Sequence, residues 1–387
     1  MKVYLNHIRA IDVHCHPYEE NKNPYTPQQF LQKLSLSVLP NMFNQMSQTS
    51  SVCSGANMYM QITIQRLSKL FSCSPNLQEV VQCRNERAKN FSQYTQFLME
   101  DANIRGMVVD FGYPTPPIQH QKFQQIVNVP IWEVSRIETI MENIKNKRDS
   151  FHQFVDKFRF ELQQTLKSTH VVGLKSIIAY RSGLEVGEKN AELAEKDYES
   201  FKNDSRSPAK YFRDYCLHIA MEECTEANKV MHIHTGIGDG EVVLKKSSPS
   251  MLLDLLRMKK YGNTKVHLVH GGYPWMEEAA YMTSILPNVY LDFSLQNPFI
   301  GHGVERILSQ IFEMAPFNKV LFGSDAFTVP EMNWLGVHLF KECFGRVLSE
   351  WINRDYIDYD GAIEIAELVL YKNFETIYKE QLKGALV

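Results

Sequence analysis

Six side chains that bind divalent cations or activate water are spread along the chain as His14-x-His16, Lys175, His234, His270 and Asp325. Each closes a short apolar or β-branched run and precedes a Gly, Pro or polar turn. On a strand, side chains alternate with period two, so His14 and His16 project from one face. Lys175 interrupts the otherwise apolar VVGLKSII, where a buried ammonium is costly without a partner. Such an amine is either a low-pKa group able to take up carbon dioxide as a carbamate or half of a structural ion pair. His234 is the last residue before Thr235-Gly236 and is expected at the strand mouth, with His232 in the layer beneath. His267 and His270 differ in parity, so a regular strand turns only one inward. His270, directly before Gly271-Gly272, is expected at the mouth and His267 against the helices. Asp325 ends KVLFGSD, where a carboxylate can bind a metal and take a proton from water; the alternative is a turn or N-cap aspartate.

Residues this far apart meet only if the fold gathers strand ends, as a barrel of parallel strands does on its C-terminal face. Eight runs read as strands: 9–14, 106–111, 130–135, 171–178, 230–234, 265–270, 289–293 and 319–324. Several are apolar nearly throughout, as for parallel strands covered on both faces. Helical stretches alternate with them. Ser207-Pro208 signals an N-cap and first helical position for a helix running to about Asn228, and Pro249 and Pro274 open two more. Two long helices, from Glu331 to about Asn353 and from Asp360 to about Gln381, follow the last strand. Residues 21–100, Ser/Gln/Asn-rich with irregularly spaced Met and Leu, read as a helical insertion after strand one that could act as a lid. The expected fold is α/β, a (β/α)8 TIM barrel with that insertion and extra C-terminal helices, formed by residues 1–387 as a single domain.

The composition of the 387 residues fits this: 44% hydrophobic and 22% charged supply a sizeable core. A net charge of -3 argues against nucleic acid as a partner. No run of about 18 apolar residues is present to span a membrane, and the first sixteen residues lack the apolar core of a secretory signal. Seven scattered cysteines without a CxxC pair fit reduced thiols in a cytoplasm.

The order of the six residues over eight strands resembles the amidohydrolase superfamily. The segments GLKSIIAYRSGL, HIHTGIGD, LVHGGYPW and LFGSDAFTVPE are similar to its amidohydrolase-2 branch, related to the amidohydrolase-like domain of FluG and nodulin-type proteins. The stretch from Lys372-Asn373-Phe374 to Tyr378 is similar to that branch's closing helix. The resemblance implies that His14, His16 and Asp325 hold one divalent ion, His234 and His270 a second, and carboxylated Lys175 bridges them. The expected cofactor is zinc, as one or two ions. The implied activity is hydrolysis of an amide-type C–N bond in a small polar substrate by a metal-bound hydroxide, with Asp325 as catalytic base; the alternative is a decarboxylase or isomerase of the same superfamily. Tyr180, Arg181, Asp239, Tyr273, Trp275 and Glu331, just beyond the strand ends, are the candidate substrate-binding residues. Homo-oligomers are common in such a superfamily and are expected here.

Overall fold

A computed structural model of the chain describes residues 1–18, 24–36, 55–114 and 118–382. Its strands are β1 (Ala10–Cys15), β2 (Ile104–Val109), β3 (Ile131–Arg136), β4 (Val171–Ser176), β5 (Val230–His234), β6 (Val266–Val269), β7 (Val289–Asp292), a short β8 (Ser294–Leu295) outside the main sheet, and β9 (Val320–Leu321). Eight of them form one parallel sheet in the order β1-β2-β3-β4-β5-β6-β7-β9. The chain after β9 returns to β1 through the bonds Val13 N to Phe322 O (3.0 Å), Asp325 N to His14 O (2.8 Å) and His16 N to Ala326 O (2.7 Å). The result is a (β/α)8 barrel with every strand C-terminus at one mouth, as the alternation of apolar runs and helices requires.

Among the described residues, four helices separate β1 from β2: α1 (Pro27–Lys33), α2 (Met58–Phe71), α3 (Leu77–Arg87) and α4 (Phe91–Asp101). Their starts are written in the sequence. Thr26 and Gln29 form a capping box with Pro27 in the first turn, and Asn57, Asn76 and Asn90 each accept a backbone N–H at the next three N-termini. Part of the polar tract in the expected insertion, residues 37–54, lies outside the described residues.

Around the barrel follow α5 (His120–Val127), α6 (Ile137–Ile144), α7 (Phe151–Lys167), α8 (Ala191–Asn203), α9 (Lys210–Glu226), α10 (Leu253–Arg257), α11 (Met276–Ile285), α12 (Gln296–Phe299), α13 (Val304–Ile311), α14 (Glu331–Asn353), α15 (Tyr359–Glu367) and α16 (Asn373–Ile377). The helix expected from Ser207-Pro208 starts later, at Lys210. Arg213 reaches back to the carbonyls of Ser205, Ser207 and Pro208, which holds that stretch as a turn outside the helix. The last long helix is divided into α15 and α16 by a π-helical turn at Leu368–Lys372.

α14 is the post to which the insertion is tied. Arg84 of α3 donates to Glu331 Oε1 at 2.7 Å, and Tyr94 of α4 donates to the same oxygen at 2.9 Å. Trp334 and His338 both bond Asp101 at the end of α4, and Lys341 donates to the Ala102 carbonyl. No helix of the described residues is long and apolar enough to cross a membrane.

Candidate metal centre

The site begins with an irregularity in β1. Ile11 and Val13 pack in a cluster with Val108, Trp132, Val134 and Tyr378, inside the barrel, whereas Cys15 packs with Met107 and Val109 in the core outside it. Pairing with β2 loses register between Asp12 and Cys15. The inward parity thereby passes from Ile11 and Val13 to His14 and His16, as a bulge does. Asp12 fixes the local path: its carboxylate accepts from His14 N (3.3 Å), Ser324 N (3.0 Å), Ser324 Oγ (2.5 Å) and Asn333 Nδ2 (2.7 Å). Burial nonetheless pushes its pKa up to about 7.

At the mouth, Nε2 of His14 and Nε2 of His16 each lie 3.3 Å from Oδ1 of Asp325. The amine of Lys175 is 3.3 Å from that same His14 nitrogen. The rings of His14 and His270 are 5.3 Å apart, those of His234 and His270 4.5 Å. Ligand atoms of His14, His270 and Asp325 all fall within 4.8 Å of one another. All five histidine and aspartate side chains and Lys175 are buried.

Two of these residues reach the mouth by left-handed backbone. His270 has φ of 72° and Asp325 of 55°, a conformation that non-glycine residues rarely adopt and that concentrates at functional sites. The turn explains a departure from the strand-parity expectation. β6 ends at Val269, so His270 is free of the alternation and points inward together with His267. His267 lies against His232 (ring centroids 4.7 Å) and 2.9 Å from Asp292 Oδ2, inside the barrel and not against the helices.

The hydrogen bonds around the rings decide which nitrogens are free. Nδ1 of His16 donates to the Asp110 carbonyl at 2.9 Å, which turns Nε2 toward Asp325 Oδ1 at 3.3 Å. Ser294 gives its hydroxyl proton to Asp292 Oδ1 at 2.6 Å and accepts from Nδ1 of His270 at 2.8 Å, which leaves Nε2 of His270 unprotonated. His234 Nε2 and Asp325 Oδ1 are buried with no hydrogen-bond partner among the described residues. Burial, followed by the charge of Lys175, holds His14 and His234 well below the ordinary histidine pKa; for His270, burial and then His234 do the same. Neutral imidazoles and a carboxylate with electron pairs aimed at one another fit a divalent cation among them.

Burial lowers Lys175 to a pKa of about 8. No carboxylate among the described residues stands within 4.0 Å of its amine. Beside it, the Tyr180 ring lies edge-on to His234 at 4.7 Å, and Gly238 is needed there because a Cβ would sit 2.0 Å from the Tyr180 hydroxyl.

Residues 198–353 match the Amidohydro_2 (amidohydrolase) family model. Over 243 residues the chain is 27% identical to Protein fluG of Emericella nidulans, a match covering 59% of this chain and 28% of that protein. Over these stretches the chain is similar to the amidohydrolase family. Among solved folds, the chain superposes over 99% of both chains, at a TM-score of 0.85 and 23% identity, on a Lactobacillus casei protein assigned as a metal-dependent hydrolase. Glucuronate isomerase from Caulobacter crescentus matches at a TM-score of 0.70 and 13% identity, over 97% of this chain and 92% of that one. These identities show a shared fold. The cluster of His14, His270 and Asp325 suits a divalent ion.

The residues expected around the substrate occupy different settings. Tyr180 flanks His234 and accepts from Asp239 N at 3.3 Å. Asp239 is bonded to Glu241 N, and Arg181 turns back on the Tyr180 carbonyl. Tyr273 and Trp275 are half-buried on the turn after β6. Glu331 is fully buried in its pairing with Arg84 and Tyr94. Sequence reasoning passed over Asp110, Arg136, Asp292 and Ser294. Asp110, Arg136 and Asp292 also stand at strand ends, the signal that pointed to His234.

Proposed function

We propose that the chain is an amidohydrolase-type enzyme that hydrolyses an amide-type C–N bond of a small polar substrate with one or two divalent ions, zinc by preference. In this reading His14, His16 and Asp325 hold the first ion, and His234 and His270 the second. The donor set of imidazole nitrogens and a carboxylate suits zinc. Lys175, with a pKa near neutrality and no carboxylate partner among the described residues, is suited to take up carbon dioxide and bridge the two positions. Ions held there would lower the pKa of a coordinated water and polarise the scissile carbonyl. Asp325, on the rim with Oδ1 directed at His14 and His16, accepts the proton of the attacking water and returns it to the leaving nitrogen. Tyr180 closes the His234 side against bulk water.

The observation that carries this reading is the meeting of His14 Nε2 and His16 Nε2 with Asp325 Oδ1, each at 3.3 Å. The buried amine of Lys175 inclines the balance toward hydrolysis over decarboxylation or isomerisation, since a bridged ion pair serves to activate water.

The test is a screen of N-acyl amino acids and γ-glutamyl amides with the zinc-loaded protein in H2-18O. Hydrolysis places the heavy oxygen in the product carboxylate and releases amine. Turnover of a uronic acid to a ketose, or carbon dioxide release without amine, would replace this reading with the alternative chemistry.

A further inference from the structure

Resting on the metal-site reading above, we propose that Arg136, oriented by Asp110, binds a carboxylate group of the substrate, so that the substrate class is a small organic acid. Arg136 ends β3. Trp132 and Val134, four and two residues earlier, belong to the inner cluster, so Arg136 also points into the barrel. Register carries the same row onward: Arg136 pairs with Lys175, and Lys175 with His232. The backbones of Arg136 and Lys175 are therefore direct neighbours on adjacent strands, about 4.8 Å apart in the sheet direction. An anion at Arg136 and a reacting bond at the metal centre fall within one small molecule.

The guanidinium is set by a saturated partner. Asp110 Oδ2 accepts from Nε at 3.1 Å and from Nη2 at 2.6 Å, while Oδ1 accepts from Gly112 N at 2.8 Å. Gly112 is required, since a Cβ there would stand 2.7 Å from Arg136 Nε. Nη1 has no acceptor among the described residues. Asp110 is sealed at 0% side-chain exposure, whereas Arg136 keeps 14%. One edge of the fork is thus fixed and the other is open. Its charge reaches the site: Arg136 contributes to the lowered pKa values of both Lys175 and His234. With Lys175 carboxylated as in that reading, two divalent ions together with Arg136 and Arg181 outweigh Asp110, Asp239, Asp325 and the carbamate, so the mouth is net positive and favours an anion. Arg181 bonds its own neighbour's carbonyl and is less committed to this direction.

The experiment titrates the zinc-loaded protein with the dicarboxylates from malonate to adipate and with the matching diamides, by calorimetry. At least one dicarboxylate is expected to bind, its diamide about 10-fold or more weaker, in line with the strength of charge-assisted bonds. The double variant Asp110→Asn/Arg136→Met removes both charges and so avoids stranding a buried carboxylate. It is expected to lose about 10- to 100-fold in dicarboxylate affinity while keeping diamide affinity, zinc content and melting temperature. Arg136→Lys, which keeps the charge but not the fork, should fall between. Unchanged dicarboxylate affinity in the double variant, or no binding of any dicarboxylate by the wild type, overturns the proposal. Zinc content is read in the same samples. A wild type that takes up no zinc would remove the metal reading, and the Arg136 comparison would still be read on the metal-free protein.

Discussion

The Ser294 hydroxyl stands 2.8 Å from Nδ1 of His270 and passes its own proton to Asp292, so the tautomer of a candidate metal ligand is set two residues beyond β7. Asp292 Oδ1 also accepts from the His270 backbone N–H at 2.9 Å. Together these bonds hold the left-handed turn at His270 in place. Groups that orient metal-binding histidines are typically worth about 10- to 100-fold in metal affinity. Ser294→Ala should therefore weaken zinc binding by about that factor while leaving the fold intact by circular dichroism. An unchanged dissociation constant, measured by competition with a chromophoric chelator, would remove Ser294 from this role.

Asp325→Asn keeps an oxygen at the ligand position but no longer accepts a proton. On any substrate found, turnover should fall by about 100-fold or more, the usual scale of a lost general base. Zinc content should fall less than activity. A variant with full activity would remove the base assignment.

Arg84 and Glu331 form an ion pair with both side chains at 0% exposure, and it joins the insertion to the helix that follows Asp325. Breaking a buried pair from one side strands a charge and costs about 3–5 kcal/mol. Arg84→Met should lower stability in denaturant by that order. Arg84→Met/Glu331→Gln should recover much of the loss, and a double variant no better than the single one would contradict the pairing.

Lys341 offers a pH test away from the metal centre. The residue is 2% exposed, its amine bonds only the Ala102 carbonyl among the described residues, and burial, reinforced by Arg105, brings its pKa to about 8. The folded value lies below the ordinary 10.5 of the unfolded chain. Stability from this group is therefore complete above 10.5, declines as pH falls toward 8, and is lowest and flat below that. Lys341→Met should stabilise the protein at pH 7 by on the order of 1–2 kcal/mol, after loss of the bond to Ala102 is counted. The difference between variant and wild type should shrink between pH 8 and 10. A destabilised Lys341→Met protein would show that the amine is well solvated or paired.

The barrel was legible because apolar runs of strand length recur between helical stretches, and a run such as VMHIH leaves little choice of structure. His234 and Asp325 were legible for the same reason: a polar residue ending an apolar strand stands out. Strand parity failed at His267 and His270 because a left-handed turn, invisible in residue types, releases His270 from the alternation. Parity in β1 is likewise shifted by an irregularity that no spacing announces. Arg136 lay just past the run taken as strand three, which stopped at Ser135, and one residue of strand length decided whether it was noticed. Ser207-Pro208 carried a genuine helix-start signal, but Arg213 claims the carbonyls of that turn and delays the helix to Lys210. The Arg84–Glu331 pair spans 247 positions, a separation that local pattern does not reach.

The most direct measurement is zinc bound per chain after loading and desalting, read by elemental mass spectrometry for the wild type and for His16→Ala and Asp325→Ala. The wild type should retain at least one ion per chain, and each variant should release it to a mild chelator. A wild-type protein that leaves the column with no bound divalent ion, or variants that hold zinc as firmly as the wild type, would contradict a metal centre built on His14, His16 and Asp325.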